Sequence, residues 1–258
     1  MAPATNSLRK LAIVPAYNEA DMVGRVVRDI EREAPDFDVV VVDDGSTDAT
    51  AALAQAAGAA VIRHPFNLGI GGAVQSGYRY ALRHSYDVAV QVDGDGQHDP
   101  SFIPKLLEEL HTTGTADMVC GTRFREEAGY RVPRSRRAGM LIFSTMLSGI
   151  VGERITDPTS GFRMTNRRGI ELFARDYPHD YPEVEAILMF HTHQMLLHEV
   201  SVRMRERGFG RSSITTQGSA YYMVRVLLAV LVGMFRRTPL PAPSEGLVGR
   251  MQPQPEEP

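Results

Sequence analysis

The chain has 258 residues, 43% of them hydrophobic, which suffices for one α/β domain with a full core, or a domain with a small appendage. A net charge of −3 gives no global field for nucleic acid, and a single cysteine, Cys120, excludes an intramolecular disulfide. A reducing cytoplasm is the default setting, and the opening MAPATNSLRK lacks the apolar stretch of a secretory signal.

Leu11 to Pro15 (LAIVP) reads as a short buried strand. Glu19 to Ala34 follows as a helix with Met22, Val23, Val26, Val27 and Ile30 on one face. Val39 to Val42 is a second strand, ending at Asp43-Asp44-Gly45-Ser46. Thr47 to Ala57 is an Ala-rich helix stopped by Gly58. Ala60 to Arg63 is a third strand, and Gly69 to His84 a helix entered through the turn NLGIGG. Val88 to Val92 is a fourth strand, and Pro100 opens a helix through Leu110. Asp117 to Gly121 is a fifth strand. This alternation implies an α/β fold with a mostly parallel sheet covered on both faces.

Beyond Gly121 the pattern changes. Residues 123–137 carry Arg123, Arg125, Arg131, Arg134, Arg136 and Arg137 in a basic loop. Ala138 to Val151 is an apolar helix, residues 155–168 a turn-rich insertion, Pro182 to Leu197 a helix and Glu199 to Met204 a last strand. Residues 216–237 include the apolar run YYMVRVLLAVLVGMF, and 238–258 form a Pro/Glu/Gln-rich disordered tail.

The chemistry is concentrated at strand ends. The run VAVQVDGDGQHD stops at Asp93-Gly94-Asp95, followed by Gln97, His98 and Asp99. Two carboxylates two residues apart in a glycine-rich turn can hold a hard cation, Mn2+ or Mg2+, against a diphosphate. Asp43-Asp44 ends another strand, and in open α/β sheets ligands bind in the crevice beyond the carboxyl ends of strands. Either pair alone would read as turn chemistry, since Asp caps and Gly supplies positive φ. Two pairs, each after an apolar strand, point to one shared pocket.

With these motifs the sequence resembles the inverting family-2 glycosyltransferases of GT-A (Rossmann-like) fold. The matching residues are VPAYNEA (Pro15, Tyr17, Asn18, Glu19), VVDDGSTD (Asp43, Asp44, Gly45, Ser46, Asp48), NLGIGGAVQSGYRYA (Asn67, Gly69, Gly72, Gly77) and VDGDGQHDP. The resemblance implies that the first blocks hold the base and ribose of a UDP- or GDP-sugar, and that Asp93, Asp95 and Gln97 hold the metal. GTRF (Gly121, Arg123), DPTSGFR (Asp157, Ser160, Gly161, Phe162, Arg163) and RGFGRSS look like the polyprenyl-phosphate sugar synthases of the dolichyl- or undecaprenyl-phosphate mannose and glucose type. In the last block Arg207, Gly210 and Ser212 match, Ser213 replaces a lysine, and Arg211 can supply a cation in its stead. The chain has no tryptophan, so the Q-x-x-R-W signature of processive synthases is absent, which argues for single-sugar transfer.

That resemblance divides residues 1–215 into a donor half (8–125) and an acceptor half (126–215). Arg207 and Ser212 join the donor contacts, while Arg123, Arg131, Arg134 and Arg211 suit a phosphate through guanidinium forks. A lipid phosphate is already ionised near neutrality and needs positioning more than a base. A hydroxyl acceptor needs a carboxylate base, for which Asp157 is the candidate, with Glu183 and Glu185 behind it. The bland alternative is that Asp157 holds the turn at Pro158-Thr159-Ser160-Gly161.

Neither apolar segment, 138–151 or 221–235, reaches the roughly 20 residues that span a bilayer. Both suit docking at a membrane surface, with core or dimer packing as the alternative. The expected location is cytoplasmic, peripheral on the inner face of the plasma membrane. A soluble transferase acting on a small-molecule hydroxyl is the first rival reading, and a non-catalytic nucleotide-sugar-binding protein the second. His191 and His193, two residues apart, do not share a helix face, no carboxylate partners them or His198 at useful spacing except Glu199, and Cys120 within an apolar strand reads as packing.

Overall fold

The computed structural model describes residues 8–112, 114, 116–123, 144–178 and 182–205. Seven strands form one sheet: β1 (Lys10–Ala16), β2 (Phe37–Asp43), β3 (Ala60–Arg63), β4 (Val88–Gln91), β5 (Met118–Thr122), β6 (Arg163–Asn166) and β7 (Leu197–Ser201). Their spatial order is β3-β2-β1-β4-β6-β5-β7, and β6 runs antiparallel to both of its neighbours while the other pairs are parallel.

The central strands are apolar on both sides because helices cover both faces. Leu11, Ile13, Val40 and Ala89 point to one face, where they meet Val74, Tyr78 and Ala81 of α3 (Gly69–Arg83). The same face holds Ile170 and Phe173 of α6 (Arg167–Arg175) and Val184, Ile187 and Phe190 of α7 (Pro182–Thr192). Ala12, Val14, Val39, Val41 and Val90 point to the other face. They pack on Val23, Val26, Val27 and Ile30 of α1 (Val23–Glu33) and on Ile103, Leu106 and Leu110 of α4 (Ile103–Thr112), with Ala54 of α2 (Thr50–Ala56) at the margin.

Three readings of the sequence change. The turn-rich insertion at 155–168 contains β6, whose residues Arg163 and Thr165 are buried despite their polarity. Helix α6 follows it, N-capped by Asn166, whose Oδ1 accepts the Gly169 N–H at 3.1 Å. The helix expected to run to Leu197 ends at Thr192, where the chain turns through Gln194 at φ 53°. The last strand accordingly begins earlier, at Leu197, and Met204 lies beyond it in an isolated antiparallel bridge to His98.

The apolar segment 138–151 also changes character. It is helical over 144–151 (α5), where Leu147 is fully buried and Met146, Ile150 and Val151 pack against the core. Leu147 thus serves the core, as the packing alternative expects, while Met146, Ile150 and Val151 are only partly buried. Among the described residues no helix is long and apolar enough to cross a membrane. The 216–237 segment, the 238–258 tail, and Arg131, Arg134, Arg207, Arg211 and Ser212 lie outside the described residues.

Candidate functional site

Strands β2, β1 and β4 are parallel neighbours, so their carboxyl ends share one edge of the sheet. Ala16 sits opposite Asp43, and the Val92 and Gly94 amides bond to Ile13 O and Pro15 O. Pro15 is buried in this edge, Tyr17 just beyond it is 46% exposed, and Asn18 and Glu19 begin the next turn. The two N-terminal motifs are laced together there. The Asn18 amide donates to Ser46 Oγ, Asn18 Oδ1 accepts from the Thr47 amide, and the Glu19 amide donates to Thr50 Oγ1, each at 2.9 Å.

The adjacent acids Asp43 and Asp44 have different surroundings. The Asp44 carboxylate accepts the Leu68 and Gly69 amides at 2.9 and 2.8 Å and lies 2.7 Å from His64 Nδ1. His64 Nε2 in turn lies 2.9 Å from Ser76 Oγ. Asp44 therefore shapes the loop that opens α3. Asn67 caps the same turn, Oδ1 to the Gly69 amide at 2.8 Å, and Gly72 is buried one turn into α3. Asp43 accepts the Ser46 amide through Oδ1. Its buried Oδ2 has no hydrogen-bond partner, although Arg63 Nε lies 3.2 Å away in an ion pair. Beside it is an open cleft of about 300 Å³ lined by Gly45, Ser46, Arg63, His64 and Pro65.

On the far side of β1, Asp93 is half-exposed and Asp95 buried on one tight turn. Asp93 Oδ1 accepts from Gln91 Nε2 at 3.0 Å, and Asp95 Oδ1 accepts the Gln97 amide at 2.9 Å. The chain leaving β7 is tied to this turn. The Arg205 amide donates to Gln97 O at 2.8 Å, and its guanidinium spans Asp29 at 2.7 Å and Asp99 at 2.8 Å.

The segment expected to serve the acceptor closes on the same turn. A Cβ at Gly161 would stand 3.1 Å from Gln91 Nε2 and 3.3 Å from Asp93 Oδ2, so the two segments meet closely there. Asp157 is buried and grips Arg123 through both oxygens, at 2.7 Å to Nε and 2.8 Å to Nη2. It also accepts from Thr159 Oγ1 at 3.1 Å. Arg123 and Thr159 thus occupy both oxygens of this carboxylate. Glu199 of β7 braces the turn, accepting the Thr156 and Asp157 amides at 2.8 and 3.1 Å.

Arg163 lies beneath, 2% exposed, donating through Nε to Ser160 O at 2.8 Å and through Nη2 to Glu183 O; its Nη1 has no hydrogen-bond partner. Burial pushes the Glu183 carboxyl above its ordinary value, against the opposing pull of Arg163. Burial likewise raises the Cys120 thiol to about 12, which fits packing and not nucleophilic use. His198 pairs with Glu109 at 2.9 Å and His193 with Met189 O at 2.8 Å, so neither joins His191 in a shared site. Among the described residues no group of three or more His, Cys, Asp or Glu forms a metal cage.

Sequence reasoning missed His98, Glu199 and Arg205 as parts of this edge. His98 and Asp99 stood inside the quoted motif, but the partners that give them meaning, Phe162 and Arg205, are remote in sequence.

The glycosyl transferase family 2 profile matches residues 11–173. Undecaprenyl-phosphate mannosyltransferase of Micrococcus luteus is 38% identical over 167 residues, covering 60% of this chain and 65% of that protein. Polyprenol monophosphomannose synthase of Mycolicibacterium smegmatis is 32% identical over 170 residues, covering 63% of each. The chain thus spans just under two thirds of the length of both. A crystal structure of glucosyl-3-phosphoglycerate synthase from Mycobacterium tuberculosis, in complex with Mn2+, UDP and phosphoglyceric acid, superposes with a TM-score of 0.66. It shares 21% identity over 88% of this chain and 78% of that one, a likeness of fold. Family profile, relatives and sheet topology agree: the chain belongs to glycosyl transferase family 2 and is a glycosyltransferase with a GT-A fold.

Proposed function

We propose that this enzyme transfers one sugar from a nucleotide-sugar, UDP- or GDP-linked, to a polyprenyl phosphate, with inversion at the anomeric carbon. The observation that carries the reading is the shared sheet edge. It sets the Asp43 cleft and the Asp93-Gly94-Asp95 turn on either side of β1, with the Asp157–Arg123 pair on the next segment. The acceptor class rests on the two relatives, whose names specify polyprenyl-phosphate mannosyl transfer.

In this reading Pro15, Tyr17, Glu19 and Asp43 line the nucleoside side. Asp43 Oδ2, buried and without a hydrogen bond, suits a base N–H, which uracil and guanine both carry. Asp44, Asn67 and Gly72 act one layer back by fixing the loop. Asp93, Asp95 and the Gln97 side chain offer hard oxygens on one turn, the donor type that Mn2+ or Mg2+ takes, and would hold such a cation. The bound cation supplies Lewis acidity toward the departing diphosphate. Arg123 meets phosphate oxygens, and Asp157 is the positioning residue that presents it. Arg131, Arg134, Arg207, Arg211 and Ser212 are proposed as further phosphate contacts by resemblance. An acceptor phosphate, with a second pKa of about 6, attacks without a general base. The enzyme works peripherally at the inner face of the plasma membrane, with the 216–237 segment as its surface helix.

The test is transfer of radiolabelled sugar from a panel of UDP- and GDP-sugars to undecaprenyl phosphate in detergent, with and without Mn2+. A butanol-soluble, mild-acid-labile product is expected. Product formed only with water-soluble hydroxyl acceptors would overturn the lipid reading in favour of the soluble transferase.

A further inference from the structure

We propose that His98 is a positioning residue for the metal site: its imidazole fixes the Asp93 carboxylate, and the Ser160-Gly161-Phe162 turn holds the imidazole. The proposal rests on the reading of Asp93 and Asp95 as metal ligands.

His98 Nδ1 accepts the backbone N–H of Asp93 at 3.0 Å. An accepting Nδ1 carries no proton, so in the neutral ring the proton resides on Nε2. That nitrogen lies 3.5 Å from Asp93 Oδ2. The other oxygen, Oδ1, accepts from Gln91 Nε2 at 3.0 Å. Gln91 thus hydrogen-bonds one oxygen of the carboxylate, and His98 Nε2 stands beside the other at a longer distance. An ionised carboxylate has about four lone-pair directions, so those facing away remain for a cation. Carboxylates that bind a metal are usually held in turn by an outer layer of neighbouring side chains.

The ring has little freedom. His98 is 5% exposed and stacks on Phe162, with centroids 5.0 Å apart and planes at 18°. Its Cε1 would be 3.5 Å from a Cβ at Gly161. Its backbone is paired with Met204 beyond β7. The remote Gly161-Phe162 turn thus packs on the imidazole while Met204 pairs with its backbone, and the near residue that it touches is Asp93. With Nδ1 occupied and the proton on Nε2, His98 presents no lone pair to a cation, which makes it an orienting group and not a ligand.

The experiment titrates Mn2+ into the full chain, alone and with UDP or GDP, reading free Mn2+ by electron paramagnetic resonance. Wild type is compared with D93N, H98A, H98N and H98Q, and metal-free melting temperatures are recorded alongside. Asparagine retains an acceptor for the Asp93 amide but loses the Nε2 donor. H98N is expected to melt near wild type while its Mn2+ affinity falls about 10- to 100-fold. H98Q, whose amide reaches the Nε2 position, is expected to recover part of that affinity. Mn2+ affinity within threefold of wild type in both H98A and H98N, with D93N weakened, overturns this proposal alone. Directly coordinated nitrogen in the pulsed Mn2+ spectrum of wild type, lost in H98N, also overturns it by making His98 a ligand. D93N binding Mn2+ as tightly as wild type, or a wild type that binds none, overturns the metal reading and this proposal with it.

Discussion

Replacing Asp157 separates a positioning role from a basic one. The carboxylate is fully buried and bonds Arg123 Nε at 2.7 Å, Nη2 at 2.8 Å and the Arg123 amide at 3.2 Å. Breaking a buried ion pair from one side costs about 3–5 kcal/mol, because the remaining charge loses its partner. Arg123 keeps 20% of its side chain exposed, so water recovers part of this loss, and we expect D157N to cost about 2–3 kcal/mol. At a urea m-value near 3 kcal/mol/M, the midpoint falls by about 0.7–1 M. A double-mutant cycle with R123A, read by urea unfolding, should return a coupling of about 1–3 kcal/mol. In turnover assays the D157N/R123A double variant should be no slower than R123A, since Asp157 acts through Arg123. A coupling below about 0.5 kcal/mol, or a double variant at least tenfold slower than R123A, refutes the positioning role and restores Asp157 as a candidate base.

Three further outcomes follow from the same packing. A Cβ at Gly77 would stand 2.2 Å from Ile13 Cγ2, so G77A must push α3 off β1; a loss of at least about 2 kcal/mol by thermal melting is expected. At Asp29, burial works against the charge, but hydrogen bonds from Arg205 and Arg32 prevail and hold the carboxyl below its ordinary value. A depressed acid stabilises the fold above the ordinary carboxylate pKa of about 3.9 and loses that contribution as pH falls through the lowered value. R205A should therefore cost about 1 kcal/mol at pH 7, with the gap to wild type narrowing below about pH 4 in urea titrations. Glu183 has the opposite sign: its raised carboxyl favours the folded state at acid pH, and that contribution disappears as pH rises through the raised value. E183Q should thus compare more favourably with wild type at pH 8 than at pH 5, and an unchanged difference across that range would contradict the burial argument.

Much of the fold was legible because its central strands are buried on both faces. LAIVP, VVVV and VAVQV leave no other place for such runs, and the glycine- and aspartate-rich turns that end them mark the ligand edge. β6 was not legible, since Arg-Met-Thr-Asn has neither alternation nor an apolar run, and burial of Arg163 is secured by carbonyls supplied from Ser160 and Glu183. The convergence of the two acidic motifs followed from strand logic alone. The different tasks of Asp43 and Asp44 did not, because they depend on what the β3–α3 loop places against Asp44. The pairing of Asp157 with Arg123 joins residues 34 apart, and sequence offered both as candidates without showing that one occupies the other. His64 was passed over altogether, although a histidine next to a proline just after a predicted strand end was the available signal.

The reversed strand explains why the proposed donor and acceptor motifs meet at all. β6 enters the sheet between β4 and β5 and runs antiparallel to both. Its first residue, Arg163, is therefore paired with Gln91 at the carboxyl end of β4. The turn before an antiparallel strand lies at its neighbour's carboxyl end, whereas the turn before a parallel strand lies at the amino end. Reversal thus delivers Ser160-Gly161-Phe162 directly onto Asp93 and His98, as the 3.3 Å space between a Gly161 Cβ and Asp93 Oδ2 records. A parallel strand of the same sequence would leave Asp157 on the opposite edge of the sheet from both the Asp93-Gly94-Asp95 turn and Arg123, which follows β5 at the carboxyl edge. The inserted antiparallel strand is thus the topological condition for the site, and its register with β4 fixes how closely the two halves approach.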